Sequence, residues 1–444
     1  MNFKKCFALL ALLVALFTAC KKEEVIPAVG LQQEGRSDTL HLGETITLRA
    51  RVTNANGTTF DWKINGAAAG TDSILKFTAS ASGMFRVVVT ARNTVSVDSV
   101  AYNFKVWGKY ENGFFMLQEG QYGNDNGDLW YYSYDSNKVV KNVFRTENPG
   151  KSLGPNTATL QFATVYRDKM YMAVKVGGPL VVADAYTMKE TGRIDHLPQD
   201  EGYAFVGVDN NRGLLSAIDG VYRVNLTGPV LGAKVAGING PAGDMILAGD
   251  YVFVMTKDDG VVALKAADFS VVKKFGIGDA GFARTKDGSI WVTGKDSLVK
   301  INPISLAADR VKLPFKTTNP WAFLAWRSGS LTASASGDAV YIAEREAVQV
   351  IGEIEVGGTR LYRYEPGNAA SLSAPFLTLP AGQYFYGSAV RYNERRKELV
   401  VIALTDKFGG SNDNRWLMYD AVTANLKETV RYTGYYFPAL PIFY

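Results

Sequence analysis

The sequence predicts an all-β protein in which a small antiparallel sandwich is followed by a seven-bladed β-propeller. Three observations carry that expectation. Strand-forming aromatics are abundant, with 23 Tyr, 23 Phe and 7 Trp, and helical periodicity is almost absent. Residues 45–52, TITLRARV, alternate apolar and polar side chains in the period of two that a half-buried strand requires. Beyond residue 110 a unit of strand, tight turn, strand, link and strand recurs at about 40 residues, the spacing of a propeller blade.

The first element, residues 1–19, reads as a secretory signal. Lys4 and Lys5 supply its charged start, and Phe7 to Phe17 is an apolar run. That run is shorter than the ~20 residues needed to span a bilayer. It ends in Leu16-Phe17-Thr18-Ala19-Cys20, which resembles the lipobox of bacterial lipoproteins. The resemblance implies lipidation of Cys20, with 20–27 as the lipidated tether. Lys21-Lys22-Glu23-Glu24 resembles the acidic surface-export tag of lipoproteins that some Gram-negative bacteria display on the cell exterior. The expected location is therefore the outer membrane, lipid-anchored and facing outward. Cys6 and Cys20 are the two cysteines of the chain. Neither lies in the domains that follow, so disulfides, thiol catalysis and Cys-based zinc sites are excluded from them.

Residues 28–107 form the expected sandwich. Ile46, Leu48, Ala50 and Val52 share one strand face, Trp62 precedes an Asn65-Gly66 hairpin signal, and Phe85, Val87 and Val89 line another strand. The pattern Gly43-x-x-Ile46-x-Leu48, Trp62-x-Ile64-x-Gly66 and Gly83-x-Phe85-x-Val87 resembles the PKD-like branch of Ig-like folds. It lacks the cysteine pair of antibody domains. Such a module implies a spacer, without chemistry of its own.

Residues 111–444 carry the seven blade units. The first of them, FFMLQEGQYGNDNGDLWYYSYDSNKVVKNVF, has no strand ahead of it, while the chain ends in a surplus one, YYFPALPIFY. The C-terminal strand is therefore expected to complete blade 1, a ring closure that removes exposed sheet edges. In such a ring, the loops between the second and third strands of each blade share one rim with the blade-to-blade loops. Glu119, Tyr122, Asn156, His196, Tyr203, Asn319, Trp321, Tyr384, Tyr386 and Tyr435 fall on that rim. Flat aromatics offer contact area to a ring-bearing ligand, and neighbouring amides fix its orientation. The same aromatics could instead pack blade on blade.

Within that rim, Asn124-Asp125-Asn126-Gly127-Asp128 admits three readings: a plain turn, a ligand-facing loop, or a Ca²⁺ loop. Gly127 is misplaced for the last, and no distant Glu follows. No metal or other cofactor is expected. Nor is an enzyme. The folded part contains two histidines, His41 and His196, and no nucleophile elbow, zincin helix or P-loop. The net charge of +5 is small and dispersed, which argues against a nucleic-acid partner.

The repeated display-and-turn pattern of the blades resembles YncE-type propellers. The two ends, GFFMLQEGQYGNDNGDLWYYSYDS and GYYFPALPIF, resemble a family of surface-lipoprotein propellers whose members include cobalamin-binding proteins. Those members pass the vitamin to a TonB-dependent outer-membrane transporter. The resemblance implies a small-molecule ligand, a corrinoid such as cobalamin, captured on the rim. A glycan fits the same rim chemistry, and a protein- or glycan-binding adhesion scaffold is the competing expectation.

Overall fold

The computed structural model describes residues 29–34, 39–53, 57–94, 96–317, 321–322, 325–326, 328–345, 349–351, 354–405, 413–434 and 437–444. The chain forms two compact units that divide between Lys109 and Tyr110. Cys20 lies outside the described residues. Among those residues no helix is long and apolar enough to cross a membrane.

The first unit is a two-sheet sandwich. Thr45–Val52 is the middle strand of a three-stranded sheet, between Val29–Glu34 and Ile74–Thr78. The facing sheet has five strands, ordered Thr39–His41, Val97–Trp107, Gly83–Arg92, Thr59–Ile64 and Ala67–Gly70. The alternation of TITLRARV places Ile46 and Leu48 inward against Trp62, Val87, Val89 and Phe104. Trp62 is fully buried, and its indole N–H donates to the Asp72 carbonyl at 2.7 Å. Without a disulfide to pack on, the ring rests on aliphatic and aromatic neighbours from both sheets.

The second unit is a ring of seven four-stranded antiparallel sheets. Blade 1 comprises Pro438–Ile442, Gly113–Gln118, Asp128–Ser133 and Lys138–Val140, counted outward from the axis. The surplus C-terminal strand thus closes the ring as the sequence requires, pairing Pro438 with Gln118 and Ile442 with Phe115. The innermost strands of blades 2 to 7 are Thr159–Tyr166, Gly202–Gly207, Ala242–Ala248, Ala280–Arg284, Leu331–Ala333 and Tyr384–Asn393.

Each blade is covered on both faces, so its middle strands read as continuous apolar runs. In Tyr251–Thr256, Val252 and Val254 pack towards blade 3, while Phe253 and Met255 pack towards blade 5. In blade 1, Phe115, Leu117, Leu129 and Tyr131 face blade 2. Phe114, Met116, Trp130 and Tyr132 face blade 7, where they meet Trp416, Met418 and Tyr432. The aromatic richness of the two chain ends is therefore the packing of the seam where the ring closes.

Candidate functional site

The rim read from the sequence exists, and its loops are built differently from one another. The Asn-Asp-Gly stretch connects Gly113–Gln118 to Asp128–Ser133, the second and third strands of blade 1. Gly120 and Gly127 both have φ near +80°, and a Cβ on either would lie 2.3 Å from backbone atoms of the loop. Only glycine satisfies both constraints. The loop is then fastened by Arg145, which lies in the short helix Val143–Glu147 of the blade 1 to blade 2 connection. Its guanidinium donates to both carboxylate oxygens of Asp125, at 3.1 and 2.6 Å, and to the Gly127 carbonyl at 2.7 Å. The Asn126 amide donates to the Gly154 carbonyl at 2.6 Å.

Asp128 is almost wholly buried and accepts the backbone N–H groups of Leu129, Phe144 and Arg145. Burial pushes its carboxyl up to about 6, against the pull of those donors and of the Arg145 charge. Burial also raises Asp125, but the Arg145 bonds and the Gly127 N–H outweigh it and leave that carboxyl below its ordinary value. The side-chain oxygens of Asp125, Asn126 and Asp128 are engaged by Arg145 and by backbone amides. The loop is an Arg-pinned turn.

This pinning bears on Tyr122. It stands at the loop tip with 64% of its surface exposed. Its neighbour Gly123 donates to the carbonyl of Asn156, itself exposed on the next connection. Tyr122 and Asn156 are thus held on adjoining, hydrogen-bonded loops. His196 is exposed on the connection from blade 2 to blade 3, and Tyr384 is half-buried at the start of the inner strand of blade 7.

Four of the expected residues, Glu119, Tyr386, Tyr203 and Trp321, lie deeper. Tyr386 is buried and its hydroxyl donates to Glu119 Oε2 at 2.8 Å, a bond that joins blade 7 to blade 1. Tyr203 is buried in the core shared by blades 1 to 3, and desolvation raises its phenol above the ordinary range. Trp321 is half-buried and packs both on that core and on the core of blades 4 and 5. It therefore reaches across the ring from the long connection between blades 5 and 6. Asn319 and Tyr435 lie outside the described residues.

Sequence reasoning missed the channel along the axis. A cavity of about 300 Å³ is lined by residues of all the inner strands or of their approaches, and it contains Asp244 and Arg391. In blades 1 to 5 and 7 the inner strand breaks register with its neighbour, as at Ala242/Met245 and Phe385/Val390. Such bulges re-aim side chains, and Asp244 sits within one of them. The available signal was a lone carboxylate in the apolar run AGDMILA and a lone cation in SAVRYN.

No curated protein matches the chain. Among solved structures it is similar to a quinonprotein alcohol dehydrogenase-like protein from Bacteroides thetaiotaomicron, at 17% identity and a TM-score of 0.60, covering 91% of this chain and 96% of that one. It is also similar to the β-propeller domain of Cps50 (Swd1) from Myceliophteria thermophila, at 12% identity and a TM-score of 0.44, covering 74% of this chain and 95% of that one. The first likeness agrees with the propeller read from the strand order. By a sequence match over residues 112–444, which takes in all seven blades, the chain belongs to the family described as Domain of unknown function (DUF5074).

Proposed function

We propose that this chain is a cell-surface binding lipoprotein that captures a ligand on the rim carrying Tyr122, Asn156 and Tyr384 and performs no chemistry on it. The observation that carries the proposal is Tyr122, a largely exposed aromatic on a loop fixed by Arg145, Asp125 and two obligatory glycines. A flat, apolar side chain held rigidly in water is poor for solubility but good for binding, because little freedom is lost on contact. The leading ligand is a corrinoid such as cobalamin. Its macrocycle can stack on tyrosine, and its peripheral amides match the amide and carboxamide groups of the rim. It is also larger than the axial cavity of about 300 Å³, which favours the rim over the channel for it. Lipidation at Cys20 would hold the protein on the outer membrane, where the ligand would pass to a TonB-dependent transporter.

The alternative is a protein- or glycan-binding scaffold on the same rim, which the exposed Tyr122 also suits. Calorimetric titration of the purified chain with cyanocobalamin separates the two. Corrinoid capture predicts micromolar or tighter binding that weakens about tenfold or more in Y122A and in Y384A. Absence of heat at high micromolar ligand would remove the corrinoid and leave the scaffold reading.

A further inference from the structure

The axial cavity is chemically unlike the rim and is built on two opposite charges. Arg391 lies on the inner strand of blade 7, Asp244 on that of blade 4, so they approach the axis from opposite sides of the ring. They attract each other through space but form no ion pair. Arg391 Nη1 donates to the carbonyls of Val390 and Gly329 at 2.8 and 2.9 Å, and more weakly to Ser388 at 3.4 Å. Its Nε and Nη2 have no acceptor among the described residues. These two nitrogens form one edge of the guanidinium plane, the edge that accepts a carboxylate in two parallel hydrogen bonds.

Beside Gly329, Ser328 also lines the cavity. It is 6% exposed, and its hydroxyl has no hydrogen-bond partner. An unpartnered buried polar group of this kind is costly unless something in the cavity satisfies it. Asp244 Oδ1 accepts the Met245 N–H at 3.1 Å, and Oδ2 has no donor among the described residues. Burial raises the Asp244 carboxyl to about 6 and lowers the Arg391 guanidinium to about 10, so both charges are under-solvated. The lining between them mixes polar and apolar surface; Phe282 belongs to it, and Phe162, Phe205, Met245 and Leu440 border it from the blade cores.

We propose that the central channel binds a small zwitterionic carboxylate of the amino-acid class, its carboxylate on Arg391 and Ser328, its ammonium on Asp244 and its side chain against the apolar part of the lining. The volume, at the lower end of ligand pockets, admits a ligand of that size and refuses a macrocycle. Entry is from the rim opposite the one described above. Tyr166, Gly207, Leu247 and Phe443, at or near the ends of four inner strands on that side, belong to the cavity lining, whereas Trp321 reaches across the other end. This site is independent of the rim, so either can fail without the other.

The test is calorimetric titration of the purified chain with L-leucine, N-acetyl-L-leucine and L-leucinamide. L-Leucine should bind saturably, and each blocked analogue at least about tenfold more weakly, because each loses one of the two charge-assisted contacts. R391M should abolish the L-leucine signal, R391K should retain part of it, and D244N should weaken L-leucine while leaving N-acetyl-L-leucine unchanged. No L-leucine binding by the wild-type chain would overturn the proposal. So would equal binding of L-leucine and its N-acetyl derivative, which would mark a plain anion site. The analogue comparison uses the wild-type chain, so it decides the matter even where a channel variant does not fold.

Discussion

Deleting residues 438–444 should abolish the cooperative unfolding transition of the propeller. The deletion removes the inner strand of blade 1 and leaves the backbone edge of Gly113–Gln118 without a partner. It also removes Ala439, Leu440 and Ile442 from the core shared with blade 2. Tyr444 goes with them, whose hydroxyl donates to the carbonyls of Tyr110 at 2.9 Å and Ala185 at 2.6 Å. Seven residues at a chain terminus usually matter little. Here they hold blade 1 to its neighbours, and a propeller open at that point exposes apolar faces on both sides of the gap. Thermal unfolding followed by near-ultraviolet circular dichroism would read the loss. A truncated chain with an unchanged transition would show that the ring does not depend on this strand.

Trp416→Ala should cost roughly 3–5 kcal/mol, the range for removing a buried aromatic side chain from a packed core. Trp416 is fully buried at the junction of the last and first blades, with ring centroids 5.6 Å from Tyr432, 6.0 Å from Phe114 and 6.4 Å from Trp130. The same junction holds hydrogen bonds from Tyr432 to Gln118, at 3.0 Å, and from Asn393 to Tyr134, at 2.8 Å. Trp416→Phe keeps an aromatic ring in the seam and should cost less than half as much. Urea unfolding midpoints measure both. Equal losses for Ala and Phe would mean that indole-specific contacts, and not ring packing, hold the junction.

Blade number, the shared core of each blade pair and closure by the C-terminal strand were all legible in the sequence, because each depends on local alternation and a repeating unit. The run YVFVM must be buried on both faces, and a terminal strand without its own blade must complete another. The candidate site was legible only in part. The rim position of Tyr122 and Tyr384 follows from blade topology alone. The burial of Tyr203, and of Tyr386 against Glu119, depends on how adjacent blades meet, which no local pattern encodes. The fixing of Asp125 by Arg145 joins residues from two different connections. Asp244 and Arg391 escaped notice because strand bulges decide which side chains reach the axis, and an unbroken period of two conceals such bulges. The rings of FFMLQ and DLWYY fill the seams on either side of blade 1, a placement that follows from ring closure and not from any local pattern.

The central claim is that the rim carrying Tyr122 is where the ligand is captured. Hydrogen–deuterium exchange of the chain with and without saturating cyanocobalamin tests it most directly, because protection is read segment by segment. The account predicts slowed exchange in residues 119–127, 150–158 and 380–386, with the opposite rim unchanged. Protection confined to the first-to-second-strand turns, or no change anywhere, would contradict it.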